Sequence, residues 1–420
     1  MREYEINELK NGMRVVSCRM DGMESAAVGV FVGIGGRFED ERIHGISHFV
    51  EHLLFKGTKK RTSMQISKAI EGVGGHINAY TSEEHTCYMV KVRGKHQELA
   101  LEVLMDMIKS PLFDSKEIEK ERYVIKEEIH MIVDNPGHYA SEVVHQLMWP
   151  DHPLGRMLIG TEESINSISR DDILEFQKNT YFPKNMIVSA AGNIDVKKLV
   201  HDSEALGAKM ANYGKPRTEI FESRQKEPVV KICGKQTEQI HVCLGMRSVP
   251  REDPDRYVVK LLSIILGENM SSRLFQTIRE KHGLSYEVNS GVSYFKDSGG
   301  FVISSGVKPD KLNKYCDLVA KELRSIKKNS VKSEELNRAK EFYEGQIALG
   351  FEKTMSRMLW MGENMISTES VPTVKEVLEK VKKVKIEDIR RLAAKIFNKD
   401  NLSVAVIGPA KEGMKLEFDL

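Results

Sequence analysis

Short apolar runs alternate with longer amphipathic stretches in the first half of the chain. Apolar runs of roughly four to eight residues predict strands, and apolar positions spaced three and four residues apart predict helices. The predicted strands are Met13–Met20, Ala26–Gly33, Cys87–Val92 and Met186–Ala191. The predicted helices are Gln65–Val73, Glu98–Ser110, Ser115–Val133 and Arg170–Thr180.

The second half of the chain repeats this order of strands and helices. Strands are predicted at Gln239–Met246, Gly300–Gly306 and Leu402–Ile407. Helices are predicted at Val258–Leu266, Lys311–Lys327 and Ser333–Leu349. The mixture of strands and helices in each half is typical of an α+β fold.

One segment recurs at a fixed spacing of 216 residues, the distance from Asp172 to Asp388. Each copy reads as a helix, a turn at Asn and an apolar strand that ends in Gly. Five of six matched positions are identical and the sixth is aromatic in both copies: Asp172/Asp388, Ile173/Ile389, Tyr181/Phe397, Asn185/Asn401, Val188/Val404 and Gly192/Gly408. We therefore predict an internal duplication. Two homologous domains, 1–211 and 229–420, each a mainly antiparallel sheet packed with helices, are joined by the polar linker 212–228.

Composition narrows the classes of function. The 63 Lys and Arg residues nearly balance the 61 Asp and Glu residues, so no large positive field favours a nucleic-acid partner. No apolar run is long enough to span a membrane. The five cysteines form no Cys-x-x-Cys pair and are predicted to be reduced. Because Met1–Glu5 carries acids where a signal peptide needs a basic start, we expect a cytoplasmic protein without membrane contact.

The chemistry is concentrated in His48–His52, which reads His-x-x-Glu-His. On a helix, positions i and i+4 share a face, so His48 and His52 can point at one ion. Two neutral imidazoles suit Zn²⁺, and Glu51 can reach the water on that ion. The alternative interpretation is an amphipathic helix whose histidines bind no metal. His44, one turn earlier, could compete as a ligand, although an exposed or supporting role is favoured for it.

A hydrolytic zinc site needs a third protein ligand. The predicted helix Ser115–Val133 contains several glutamates, most of which are expected to form a solvated face. Glu121 and Glu128 lie seven residues apart on one side, so one could bind the metal while the other orients a histidine. Spacing alone does not choose between Glu127 and Glu128.

The segment His48–Thr58 resembles the zinc-site helix of the pitrilysin/insulinase family of metallopeptidases, in the branch of the mitochondrial processing peptidase β-subunit and its bacterial relatives. The family's third ligand lies in a Glu-x-x-Val-x-x-x-Glu context, which Glu121–Glu128 matches. The resemblance therefore implies Glu128 as the ligand, Glu121 as its supporting acid and one Zn²⁺ per chain. The second half lacks the His-x-x-Glu-His motif and is expected to bind no metal.

Two further motifs are similar to those of the family. Gly74–Glu83 resembles its substrate strand, which implies that Asn78 and Ala79 bind the peptide backbone. Ser271–Phe275 leads to Arg279 and Tyr286, which resemble the Arg/Tyr pair that contacts the substrate carbonyl and the developing oxyanion. Without the resemblance, Asn78 would be interpreted as a turn or strand-end residue, Arg279 as a surface charge and Tyr286 as a core aromatic. The chain departs from the family at Gly267–Asn269, where relatives carry a glycine-rich triplet.

The resemblance implies a zinc-dependent endopeptidase that hydrolyses unstructured peptides in an enclosed chamber, with Glu51 activating the water. It also implies a dimer, either of identical chains or with an inactive paralogue, in which the Arg/Tyr pair approaches the metal of the opposite subunit. Two alternatives use the same fold: a non-catalytic scaffold like the core subunits of respiratory complexes, and a module that binds peptides without cutting them.

Overall fold

The computed structural model describes residues 3–410 together with Leu416, Phe418 and Leu420. The strands are β1 (Glu5–Glu8), β2 (Arg14–Arg19), β3 (Ser25–Val32), β4 (His76–Thr81), β5 (Thr86–Arg93), β6 (Met186–Gly192), β7 (Val229–Gly234), β8 (Ile240–Ser248), β9 (Val288–Tyr294), β10 (Gly299–Val307) and β11 (Leu402–Gly408). The α-helices are α1 (Ile46–Leu54), α2 (Ser63–Glu71), α3 (Gln97–Lys109), α4 (Ser115–Asp134), α5 (Pro136–Met148), α6 (Glu162–Ser167), α7 (Arg170–Thr180), α8 (Val196–Gly207), α9 (Arg256–Leu266), α10 (Leu312–Asn329), α11 (Ser333–Gly350), α12 (Thr354–Thr368), α13 (Val374–Lys383) and α14 (Ile386–Ile396).

Each strand and helix predicted from periodicity is confirmed, with ends that shift by at most two residues. Periodicity did not predict the strands β1, β4, β7 and β9 or the helices α1, α5, α6, α8, α12 and α13. Of these, α1 and β4 were expected from their motifs instead. Among the helices that the structure describes, none has the length and hydropathy needed to cross a bilayer.

The described residues form two compact units, each built on one sheet. Unit 1 comprises Met1–Ile129, Met157–Thr218 and Ile347–Thr373, and unit 2 comprises His130–Arg156, Glu219–Gln346 and Val374–Leu420. The sheet of unit 1 has the order β1-β2-β6-β3-β5-β4, and that of unit 2 has the order β7-β11-β8-β10-β9. One strand pair in each sheet is parallel, β2–β6 and β7–β11, and the other described pairs are antiparallel. The predicted α+β class with mainly antiparallel sheets is confirmed.

The segment that recurs in the sequence also recurs in the structure. Helices α7 and α14, and strands β6 and β11, begin and end at positions 216 residues apart. In unit 1 the side-chain amide of Asn185 donates to the carbonyls of Thr180 and Gly33, at 2.8 and 3.2 Å. In unit 2 the amide of Asn401 donates to the carbonyls of Ile396 and Arg247, at 2.9 and 2.8 Å. The repeated Asn therefore ties the end of a helix to a neighbouring strand in each unit.

The two units exchange one helix each. Helix α12, late in the sequence, packs on the sheet of unit 1, where Met358, Met361 and Met365 join a core with Phe31 and Ile187. Helix α5, from the first half, packs on the sheet of unit 2. The predicted contiguous division at 212–228 therefore differs from the compact units in these two segments. Amphipathic periodicity indicates that a helix covers a sheet, but it carries no information on which sheet is covered.

Candidate metal centre

Helix α1 begins at a buried turn that fixes its direction. Gly45 precedes the helix with φ of 93°, a left-handed conformation that glycine adopts without strain. The carboxylate of Glu39 accepts hydrogen bonds from the backbone N–H groups of Gly45 and Ser47, each at 2.7 Å. A negative charge at this end is stabilised by the helix dipole. The apolar residues of α1 are buried, namely Ile46, Phe49, Val50, Leu53 and Leu54.

Three potential ligand atoms converge beside α1. The Nε2 atoms of His48 and His52 lie 3.8 and 3.7 Å from Oε2 of Glu128 on α4. The two imidazole rings are 4.5 Å apart between centroids. These three residues are the group that could hold a metal ion among the residues that the structure describes.

The donor set fits zinc. Zn²⁺ is four-coordinate and tetrahedral with ligands at about 2.1 Å, which places neighbouring ligand atoms about 3.4 Å apart. The distances to Glu128 are close to this spacing. Oε2 of Glu128 is buried without a hydrogen-bond partner in the described part of the chain, as a ligand atom is before metal binding. Burial and the nearby His52 lower the pKa of His48 to about 3, so its ring is neutral and able to coordinate.

Glu121 fixes the orientation of His52. Its Oε2 lies 3.1 Å from Nδ1 of His52, and its Oε1 lies 2.8 Å from the ammonium of Lys56. Burial favours the neutral acid, but the bonds to His52 and Lys56 outweigh it and hold the pKa of Glu121 below its usual value. An ionised carboxylate at this place favours the tautomer with the hydrogen on Nδ1, in which the lone pair of Nε2 is directed toward Glu128.

Glu51 stands beside the three ligands. Oε2 of Glu51 accepts a hydrogen bond of 2.6 Å from the hydroxyl of Thr81 on β4. Burial raises the pKa of Glu51, against the opposing influence of that hydrogen bond and of His52. A carboxylate with a raised pKa accepts a proton more readily than an exposed one, as a general base must.

The predicted substrate strand lies at an open edge. Strand β4 pairs with β5 and is the last strand of its sheet in the described part of the chain. Its residues are half-buried or exposed, and Asn78 accepts a hydrogen bond of 2.9 Å from the N–H of Ala79. An edge of this kind has unpaired backbone groups that can bind an extended peptide.

In unit 2, Arg279 and Tyr286 contact each other. Arg279 lies on a π-helix, Phe275–Lys281, a rare conformation that often marks functional sites. Its guanidinium lies 4.5 Å from the ring centre of Tyr286 and 4.8 Å from that of Phe275. It also donates to the carbonyl of Tyr286 at 3.2 Å. The Tyr286 side chain itself is 72% exposed, so its hydroxyl is accessible to another molecule.

The structure distinguishes the residues that the spacing left open. His44 bonds to the carbonyl of Met157 and lies outside the ligand group, and Glu127 is exposed on α4. Sequence reasoning missed three contacts: that of Thr81 with Glu51, that of Lys56 with Glu121 and that of Phe275 with Arg279. Each of these residues stands in or beside a quoted motif, but its partner is fixed only by folding.

Comparison with known proteins adds the following. Residues 14–162 match the insulinase family (peptidase family M16), and residues 167–343 match the peptidase M16 inactive domain. The chain is 34% identical over 410 residues to an uncharacterized zinc protease of Streptomyces coelicolor, covering 96% of this chain and 89% of that protein. It is 35% identical over 407 residues to the uncharacterized zinc protease YmxG of Bacillus subtilis, covering 96% and 97%.

Solved structures share the fold. A protease from Helicobacter pylori superposes with a TM-score of 0.90 at 24% identity, covering 97% of this chain and 99% of that one. A peptidase M16 inactive domain from Pseudomonas fluorescens superposes with a TM-score of 0.88 at 18% identity, covering 99% and 100%. The predicted closeness to the processing peptidase β-subunit stays a prediction.

Proposed function

Because the chain belongs to the insulinase family of peptidases (family M16), we propose that it is a zinc-dependent endopeptidase that hydrolyses unstructured peptides. One observation carries the proposal: His48, His52 and Glu128 converge with their ligand atoms close together, and Glu51 lies beside them. A structural role alone would not require two imidazoles to face a buried carboxylate oxygen that has no hydrogen-bond partner in the described residues.

In this proposal His48, His52 and Glu128 hold one Zn²⁺ per chain. A zinc ion held there would supply Lewis-acid chemistry, lowering the pKa of a water molecule and polarising the scissile carbonyl. Glu121 does not touch the ion but keeps the Nε2 lone pair of His52 directed at it. Loss of such a supporting partner typically weakens metal binding about 10–100-fold, which a chelator competition with Glu121→Gln would measure.

Glu51 is the proposed general base. Its carboxylate takes a proton from the attacking water and later delivers the proton to the leaving amine. Its raised pKa suits both steps, since the group must accept a proton and hold it until the C–N bond breaks.

The peptide is proposed to extend the sheet of unit 1 along β4. Backbone groups on the open edge, with the side-chain amide of Asn78 and the backbone of Ala79, would pair with the substrate main chain. Recognition of this kind depends on backbone hydrogen bonds and makes little demand on the side chains of the substrate.

Arg279 and Tyr286 are the proposed donors to the carbonyl oxygen as negative charge develops on it. A donor of this kind typically contributes about 10²–10³ in rate. The contact between Arg279 and Tyr286 keeps the two donors together, and the exposed Tyr286 hydroxyl is accessible to a substrate.

Two chains are proposed to associate around an enclosed chamber, so that this pair acts on the metal site of the opposite subunit. Mixing Glu51→Gln chains with Tyr286→Phe chains is then expected to restore part of the activity under conditions of proven subunit exchange. A mixture that stays inactive would contradict the arrangement. A heterodimer with an inactive paralogue is the alternative assembly.

The proposed activity is tested with a mixed set of unstructured peptides. Zinc-loaded wild type is expected to hydrolyse them, and Glu51→Gln is expected to lose turnover while zinc stays bound. Exposed Glu127 on α4 offers the matched control, since Glu127→Gln should leave turnover unchanged. If neither wild type nor the variants turn over any peptide, the scaffold or peptide-binding alternatives replace the enzyme.

A further inference from the structure

The hydroxyl of Thr81 reaches the carboxylate of Glu51 from a different element of unit 1. Glu51 lies on α1 and Thr81 is the last residue of β4, and the Oγ1–Oε2 distance is 2.6 Å. We propose that Thr81 is the positioning residue for Glu51, so that the strand proposed to bind the peptide also sets the geometry of the base. This inference rests on the proposed function.

The hydroxyl is held in place by its own hairpin. Thr81 pairs with Thr86 in the register of β4 and β5. The turn between the strands is closed because the N–H and the hydroxyl of Ser82 both donate to the carbonyl of His85, at 2.9 and 2.7 Å. A donor on a closed turn is already oriented before a substrate binds.

The neighbouring residue of β4 is fixed on the other face of the strand. Successive side chains of a strand point to opposite faces, so Tyr80 points away from the side of Thr81. The hydroxyl of Tyr80 donates to Glu363 on α12 at 2.8 Å and lies 3.2 Å from Nε2 of His85. The end of β4 is therefore held from both faces.

The hydrogen bond to Oε2 fixes the orientation of the Glu51 carboxylate. Oε2 of Glu51 accepts the hydrogen bond from Thr81, so we assign Oε1 as the oxygen that takes the proton of the attacking water. Without the bond, the carboxylate can rotate about its terminal torsion, which is broad for a Glu side chain. We therefore expect loss of the bond to slow the chemical step and to leave peptide binding unchanged.

Kinetics of three variants test the role. Thr81→Val keeps the shape of the side chain and removes the donor, so kcat is expected to fall about 10–100-fold with KM within about twofold and the zinc content unchanged. Thr81→Ser keeps the donor and should recover most of kcat. Thr86→Val is the matched control. Thr86 lies in the same hairpin as Thr81, and its buried hydroxyl donates to the carbonyl of Ile34, outside the hairpin, instead of to Glu51. The kcat of Thr86→Val should stay at the wild-type level.

A wild-type kcat in Thr81→Val, or equal losses of kcat in Thr81→Val and Thr81→Ser, would overturn the proposal.

A second readout needs neither zinc nor turnover. In metal-free protein, Thr81→Val is expected to lower Tm by about 2–4 °C. In a Glu51→Met background, which has no acceptor at this position, the same change should have less than half that effect. Thr86→Val should lower Tm equally in both backgrounds. Equal shifts for Thr81→Val in both backgrounds would refute the contact. If wild type hydrolyses no peptide, the proposed function fails. The comparison of Tm shifts in the two backgrounds still decides whether Thr81 holds Glu51.

Discussion

Apart from β1, the two sheets have the same strand order, because β2-β6-β3-β5-β4 of unit 1 corresponds to β7-β11-β8-β10-β9 of unit 2. The units differ in the first α-helix after β3 in unit 1 and after β8 in unit 2. In unit 1 that helix is α1, whose half-buried face carries His48, Glu51 and His52. In unit 2 it is α9, which has neither His nor Glu and is buried from Tyr257 to Leu266 apart from Lys260. The same strand order therefore occurs with either set of side chains, so the fold alone does not specify a metal site.

The long helices α4 and α11 show the same contrast. Helix α4 begins at Ser115 and helix α11 at Ser333. The fourteenth residue is Glu128 in α4 and Gln346 in α11. The seventh residues are Glu121, which bonds to His52, and the buried Ala339. The loss of charge at the seventh and fourteenth positions of α11 agrees with the absence of ligands on α9. A metal site is therefore predicted in one unit only.

The largest effect is expected from removing the third ligand. Glu128→Gln replaces an anionic ligand by a weak neutral one, so zinc affinity should fall by more than about 100-fold, beyond the effect of losing a supporting partner. Peptide hydrolysis should fall with it. Metal analysis after dialysis measures the loss, and Gln346→Ala at the corresponding position of α11 is the control. Full zinc retention by Glu128→Gln would remove this residue from the site.

A smaller loss of peptide hydrolysis is expected when Tyr286, a proposed oxyanion donor of unit 2, is replaced. Tyr286→Phe deletes a hydroxyl from a side chain that is 72% exposed, so stability should not change. The value of kcat should fall about 10²-fold or more, as for a single oxyanion donor, with zinc still bound. Steady-state kinetics with a quenched fluorescent peptide measures it. An unchanged kcat would show that the Tyr286 hydroxyl is not a donor in the reaction.

Matched substitutions of the repeated Asn should have equal effects in the two units. Asn185→Ala and Asn401→Ala each remove an amide that donates to two carbonyls. Leaving buried acceptors unpaired costs about 1–3 kcal/mol, which lowers Tm by a few degrees in either case. Thermal unfolding followed by circular dichroism measures both shifts. A large shift for one variant and none for the other would indicate that the duplicated segments no longer have equivalent roles.

The smallest effect on thermal stability is expected from removing one ion pair in each unit, Arg42–Asp172 in unit 1 and Arg391–Asp255 in unit 2. The guanidinium of Arg42 lowers the pKa of Asp172 in unit 1, and that of Arg391 lowers the pKa of Asp255 in unit 2. A lowered folded-state pKa stabilises the protein above the ordinary Asp value of about 3.9, and this stabilisation is lost as the pH falls through the folded-state value. Arg42→Met and Arg391→Met should each lower Tm by less than about 2 °C at neutral pH. The shift should disappear in acid, and a shift that grows there would contradict the assignment.

Most of the fold follows from local patterns in the sequence. The duplication was readable because the side-chain amides of Asn185 and Asn401 each donate to two corresponding carbonyls, a role that calls for the same residue type at a fixed spacing. The candidate ligands were found by helical spacing and by resemblance, which chose Glu128 where spacing left Glu127 open. In the structure Glu127 is exposed and Glu128 faces the two histidines, while the choice of Glu128 as ligand stays a prediction.

The contacts that sequence reasoning missed are long-range or irregular. The bond between Thr81 and Glu51 joins residues on separate elements, and neither residue type predicts the other. The π-helix at Phe275–Lys281 has no hydrophobic period that distinguishes it from an α-helix over so short a segment. The exchange of α5 and α12 depends on which apolar faces meet, which is decided by packing of the whole chain.

The exchanged helices impose an order on biosynthesis. The last strand of the unit 1 sheet ends at residue 192, but α12, which covers that sheet, ends at residue 368, so 176 further residues must be translated first. At 5–20 residues per second this takes roughly 10–35 s. During that interval the apolar face that Met358, Met361 and Met365 later cover is open to chaperones or to aggregation. Ribosome-bound chains arrested before α12 should therefore be cleaved rapidly by protease in unit 1, and chains arrested after α12 leaves the exit tunnel should resist.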